Sequence, residues 1–222
     1  MPSYSGVWNP VSQYQAKGAG NWPVSPPSTI GQAYGGGFYA GQISTAGNGV
    51  ADYYLIVAPV ASGQSTLQWK TTDTSTSGTA SVIDGPGNSA SMNNASHPAA
   101  QFCESLTIGG FSDWYLPAKN ELEVCYYNLK PTTQSNYTSS SGVNTNAVPS
   151  RSSDYTSGTP AQTSSADFKD TGAEDFVADN YWSSTQRGSD IGWIQDFSNG
   201  DQTSLAAKTL SLKVRAVRRV PV

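Results

Sequence analysis

The stretch from Ala99 to Leu129, AAQFCESLTIGGFSDWYLPAKNELEVCYYNL, constrains the chain most, because it is the one part with the pattern of two successive helices. Ala99, Ala100, Phe102, Cys103 and Leu106 recur on one side of a short helix. Gly109 and Gly110 accept the left-handed backbone of a helix C-terminus and predict its end. Pro117 suits the entry to a second helix, where its missing N–H costs nothing. Leu122, Cys125, Tyr126 and Leu129 give that helix an apolar face, and Pro131 ends it. Glu121 and Glu123 fall near the positive end of its dipole and read as solvated carboxylates rather than a catalytic pair. Asp113-Trp114-Tyr115-Leu116-Pro117 forms an extended link between the helices. This helix–link–helix unit is the predicted core, with polar, glycine-rich strands and loops laid against it.

A chain of 222 residues suits one domain, or one domain and an arm. Charged residues are 13% of it, about half the usual share. Its polar surface is therefore Ser, Thr, Asn, Gln and Gly, as in secreted or virion-exposed β-rich proteins. A net charge of −4 supplies no basic field for nucleic acid. There is no apolar run long enough to span a membrane. MPSYSGVWNP has no basic segment followed by an apolar one, so no secretory signal peptide is expected and release would be by lysis. Cys103 and Cys125 lie one in each helix. They read as two buried thiols, with a disulfide between the packed helices as the alternative. With one histidine, His97, they do not make the usual four-ligand zinc site. No metal and no cofactor are expected.

Residues 1–34 are aromatic, proline-rich and almost uncharged, and read as an N-terminal arm or attachment segment. The domain is placed at 35–222. Phe38–Ile43, Tyr53–Val60 and Leu67–Lys70 read as strands, the second of them central. Residues 71–97 read as a loop with one helical turn near Ala90–Asn94. Residues 131–180 form a long insertion, poor in apolar residues, whose spaced aromatics predict an ordered excursion. Strands follow at Asn180–Thr185 and Ile191–Phe197, joined by a turn, with a hairpin turn at Ser198–Asp201. A last strand covers Leu212–Arg218, in which Leu212, Val214 and Ala216 face one way and Lys213 and Arg215 the other. Lys213, Arg215, Arg218 and Arg219 read as solvated or ion-paired.

Four motifs stand in order: Gly109-Gly110-Phe111-Ser112-Asp113-Trp114-Tyr115-Leu116-Pro117, then Asn120-Glu121-Leu122-Glu123, then Tyr181-Trp182-Ser183-Ser184-Thr185, then Lys213-Val214-Arg215-Ala216-Val217-Arg218. Together they resemble the DUF1566 family, which includes the C-terminal domain of the Legionella collagen-like adhesin. The resemblance spans roughly residues 50–220 and implies an α+β, C-type-lectin-like fold. In that fold two helices pack on a twisted antiparallel sheet, with a long loop region before the last strands. It marks Asp113, Trp114, Leu116, Pro117, Glu121, Tyr181, Trp182, Arg215 and Arg218 as the structural motif. Tyr115 stands where the family usually has Arg, and no collagen-like stalk is present through which to trimerise. Calcium-binding lectin motifs are absent. Formylglycine-generating enzymes share the broad fold, but they need a cysteine pair late in the chain, and none follows Cys125. The N-terminal segments Ser5-Gly6-Val7-Trp8 and Ala19-Gly20-Asn21-Trp22-Pro23 are similar to parts of bacteriophage structural proteins.

Trp114 and Trp182 read as core. Ligand-facing candidates lie in the loops: Arg151, Tyr155, Arg187, Asp190, Asn199 and Asp201. The resulting expectation is a non-enzymatic phage virion surface protein, a fibre or decoration. It would be trimeric by analogy with phage fibres, attached to other virion proteins through its arm, and bound to a host-surface glycan or protein. The alternative is a purely structural virion component.

Overall fold

The computed structural model describes residues 25–203 and 205–222. The elements are β1 (Ala33–Tyr34), β2 (Gly37–Ile43), β3 (Tyr53–Val57), α1 (Val60–Gly63), β4 (Gln64–Gln68), α2 (Gly85–Ala90), α3 (Pro98–Glu104) and α4 (Lys119–Leu129). They continue with β5 (Ala147–Val148), a 3₁₀ turn (Ala166–Phe168), β6 (Asn180–Gln186), β7 (Ile191–Asp196), β8 (Ala206–Ala207), β9 (Ser211–Arg215) and β10 (Val217–Pro221). This is a mixed α+β fold. Most of the expected N-terminal arm, residues 1–24, lies outside the described residues.

Two sheets result. In the first, the apolar run Tyr53–Val57 is central as β3, paired antiparallel to β2 on one side and β10 on the other. Both β1 and β5 pair with β2. The domain thus begins upstream of residue 35, since Ala33 and Tyr34 are already in the sheet and Ile30 packs on the core. The second sheet runs β4-β9-β6-β7-β8. Its β6–β9 contact is parallel and its other pairings are antiparallel.

The single terminal strand expected over Leu212–Arg218 is two strands in different sheets. The chain crosses between them at Ala216, whose N–H donates to Gly63 O (2.9 Å) and whose carbonyl accepts from Ala58 N (2.9 Å). Leu212, Val214 and Ala216 do face one cluster, the one around Trp69, Trp114 and Trp182. Arg215 is ion-paired, with Glu174, and fully buried rather than solvated. Burial lowers its pKa to about 10, so it stays charged at neutral pH. It is held by Ala58 O (2.6 Å), Gln64 Oε1 (3.1 Å), Asp175 O (3.2 Å) and Glu174 Oε2 (3.0 Å). Arg218 grips both oxygens of Asp113 (2.7 and 2.9 Å) and donates to Gly35 O (2.8 Å).

The two helices of the opening stretch are present, and two more precede them. Asp84 caps α2 by accepting from Gly87 N (3.2 Å). This helix lies just before the turn expected at Ala90–Asn94. The first expected helix, α3, already ends at Glu104, so Gly109 and Gly110 instead form the tight turn between Ile108 and Phe111. Leu116 and Pro117 tie the link to its neighbours: Leu116 N donates to Ser89 Oγ (3.0 Å) and Pro117 O accepts from Ser184 N (2.8 Å). Cys103 and Cys125 are free and belong to different halves of the core, so the disulfide alternative fails. Burial pushes both thiols far above their ordinary pKa.

The 71–97 loop is pinned by His97, which packs edge-on against Trp69. Its ring nitrogens meet Thr76 Oγ1 (2.9 Å) and Asn94 Oδ1 (2.9 Å). Burial, then the nearby Lys70 and Lys208, lower its pKa to about 4. Between pH 6.5 and 4 the unfolded chain therefore binds a proton that the folded chain refuses, and stability falls as pH falls. Urea unfolding of wild type and His97→Gln across that range should show the wild type losing on the order of 2 kcal/mol more than the variant. Parallel pH profiles would refute this role of His97.

Candidate functional site: the insertion cleft

The helix α4 is buried on nearly every side, so its polar residues must find partners inside the protein. Glu121 and Glu123 are fully buried, contrary to the solvated reading. Glu121 accepts from Tyr115 OH (2.5 Å), Ala118 N (2.8 Å) and Arg219 Nε (2.8 Å). Burial raises its pKa above the ordinary carboxylate value, and Arg219 opposes the rise. These contacts fasten the helix start to β10.

Glu123 faces the insertion. Its oxygens accept from Asn144 Nδ2 (2.5 Å), Tyr155 OH (2.7 Å) and the Arg151 guanidinium. Arg151 also lies 3.9 Å over the Tyr127 ring. Seven positions after Glu123, at the residue just past the last turn of α4, Lys130 is almost wholly buried. Its ammonium donates to Gln134 O (2.6 Å), Asn136 Oδ1 (2.6 Å) and Pro160 O (3.3 Å). Asn136 Nδ2 passes the connection on to Thr156 O (3.0 Å) and Pro160 O (2.9 Å). Tyr126 OH donates to Asn136 Oδ1 (2.6 Å). The insertion is ordered as its aromatics predict, by these polar contacts together with buried Tyr155, Phe168 and Phe176. Gly142 is required here: φ is +105°, and a Cβ would lie 2.4 Å from the Tyr155 ring.

Between α4 and the insertion opens a cleft of about 240 Å³, lined by Tyr127, Arg151, Ser152, Ser153, Asp154, Tyr155, Thr156 and Thr159. Hydroxyl groups and aromatic rings dominate the wall. Glu123 compensates the charge of Arg151, so the cleft is not a strongly cationic site. The phenol of Tyr155 is held well above its usual pKa by burial and by Glu123, and remains protonated. One carboxylate, Asp154, stands at the rim with Oδ2 accepting from Ser140 N (2.8 Å). Such a wall can hold a polar, hydroxyl-bearing molecule by hydrogen bonds and ring contact.

Of the six ligand-facing residues expected from sequence, two come together at the cleft, Arg151 and Tyr155. The buried Tyr155 directs its hydroxyl to Glu123 rather than outward. Arg187 lies 4.4 Å from the Trp193 ring and donates to Thr203 O (2.7 Å). Asp190 is exposed on the β6–β7 turn. Asn199 and Asp201 build the hairpin, Asn199 Oδ1 accepting from Asp201 N (2.9 Å) and Asp201 Oδ1 from Thr203 N (2.6 Å). None of these four lines the cleft. Sequence reasoning missed Tyr127, Asp154, Thr156 and Thr159, and the anchors Glu123, Lys130, Asn136 and Asn144. One signal was available: Glu123 and Tyr127 stand four apart on a helix bounded by apolar positions, and Lys130 follows at its end.

Fold and site define an α+β domain whose loop excursion is fastened to a central helix and carries a cleft of hydroxyl-bearing and aromatic residues. The chain belongs to the Lcl C-terminal domain family, the C-terminal domain of the Legionella collagen-like protein, whose model matches residues 60–218. That domain is adhesin-like. No curated protein matches this sequence. Every residue of the structural motif has a packing or pairing role here, with Trp114 and Trp182 in the core and Arg215 and Arg218 in buried or half-buried ion pairs. No helix among the described residues is long and apolar enough to cross a membrane.

Proposed function

We propose that the domain is a non-enzymatic recognition module that takes a hydroxyl-rich ligand, a host-surface glycan or a glycan-bearing protein, in the insertion cleft. The observation that carries this reading is a wall of hydroxyls and rings held on a buried helix, in a family whose domain is adhesin-like. The C-type-lectin-like arrangement belongs to the same reading, with a long loop region carrying the site. So does placement on a phage virion, as a trimeric fibre or decoration component attached through the N-terminal arm and needing no cofactor. A purely structural decoration is the second reading. It is favoured by the inward direction of the Arg151 and Tyr155 polar groups.

The test is binding of labelled protein to intact host cells, with and without competing surface polysaccharide. Saturable binding should be displaced by polysaccharide. Ser153→Trp, which fills the cleft from an exposed position, should weaken it at least about tenfold while changing stability by no more than about 0.5 kcal/mol, as is usual at the surface. Undiminished binding by this variant would remove the cleft from the site. No binding by folded wild type would favour the structural reading.

A further inference from the structure

Lys130 is an unusual buried cation. Its hydrogen-bond acceptors are three uncharged oxygens, Gln134 O, Asn136 Oδ1 and Pro160 O. No carboxylate pairs with it among the described residues. Burial alone pulls its pKa below the ordinary lysine value. A buried charge is normally matched by an opposite charge. Here the compensation comes from carbonyl dipoles converging from two separate turns of the insertion, an arrangement of hard oxygen ligands around a positive centre that proteins otherwise offer to metal ions.

Lys208 repeats the arrangement elsewhere. Its fully buried ammonium donates to Thr74 O (3.1 Å), Gln186 Oε1 (2.6 Å) and Ser189 O (2.8 Å), joining the 71–76 segment to the β6–β7 turn. Two long irregular segments are thus each gathered on one tethered ammonium. A segment without a regular ladder has many carbonyls facing inward, and one triple donor answers three of them.

We propose that Lys130 is the positioning residue of the insertion cleft, its ammonium serving as a covalently tethered cation that draws the 134–136 and 156–160 turns together and assembles the cleft without a bound metal ion. Thr156 and Thr159, on the cleft wall, reach Lys130 through Asn136 and Pro160. That the cleft takes a ligand rests on the proposed recognition role; the order of its loops does not, and hydrogen exchange reads that order.

Hydrogen exchange of the full chain, read by mass spectrometry, tests this on wild type, Lys130→Met and Lys130→Ala. Peptides covering 134–163 should exchange at least about tenfold faster in both variants, with β3 and β10 peptides unchanged. Ammonium chloride, but not sodium chloride at equal concentration, should restore protection to Lys130→Ala by refilling the oxygen cage. Wild type should exchange identically with EDTA and with calcium chloride. Unchanged protection in Lys130→Met, an equal response to both salts, or faster wild-type exchange in EDTA would each overturn the assignment. If Lys130→Met fails to fold, Lys130→Ala refolded in ammonium chloride takes its place. The expected exchange pattern in a protein that binds no cells would leave Lys130 as assigned and overturn only the recognition reading.

Discussion

Glu123→Ala is expected to destabilise the domain by about 3–5 kcal/mol, because it strips the partner from a largely buried guanidinium. It also leaves the Tyr155 hydroxyl without its acceptor and the Asn144 amide with Asn120 O in place of two acceptors. Equilibrium urea unfolding measures the loss. Glu123→Gln keeps the shape and one acceptor oxygen but not the charge, and should fall between. The informative comparison is Glu123→Leu with Arg151→Met. Replacing both members of a buried ion pair by apolar groups is often neutral, so the double variant should recover the part of the loss due to the unpaired guanidinium and keep the part due to the Tyr155 hydroxyl. A loss below about 1 kcal/mol in Glu123→Ala would mean that the carboxylate is not the anchor of the insertion.

Arg215→Ala should have a cost in the same range of about 3–5 kcal/mol, with a different consequence. Arg215 stands where the chain passes from one sheet to the other. It joins the end of β3 through Ala58 O, the start of β4 through Gln64, and the end of the insertion through Glu174 and Asp175. Lysine cannot replace it, since an ammonium on a flexible stem does not reproduce a planar fork that reaches four acceptors. Arg215→Lys should therefore melt much closer to the alanine variant than to wild type. A lysine variant as stable as wild type would show that only the charge is needed at the junction.

Much of the frame was legible because it rests on local signals. Leu122, Cys125, Tyr126 and Leu129 share one helix face, and α4 follows. Tyr53–Val57 is too apolar for any place but a sheet centre. Trp114 and Trp182 are buried as their size and motif setting suggested. The Leu212–Arg218 strand was misread because alternation along it continues through Ala216 while its hydrogen-bond partners change. One side of that residue pairs with β4 and the other with β3, and partner choice leaves no mark on alternation.

The candidate site was less legible. Loop residues such as Arg187, Asp190, Asn199 and Asp201 are polar and in turns, as ligand-facing residues are, but turns use polar groups to build themselves. The cleft depends instead on Glu123 and Lys130, which look like ordinary solvated charges on a helix. Only the insertion folding back over α4 and its end turns them into anchors.

The α+β class, the order of the main elements, the two helices about the Asp113–Pro117 link and the family can all be read from the residues in order. Each of these follows from periodicity, turn chemistry or a short motif, all carried by residues near one another in the chain. The division into two sheets, the free state of Cys103 and Cys125, and the cleft emerge only in the folded chain. Those depend on contacts between residues distant in sequence. A charge is solvated or structural according to whether water or an opposing dipole reaches it, and that is settled only when the layers close.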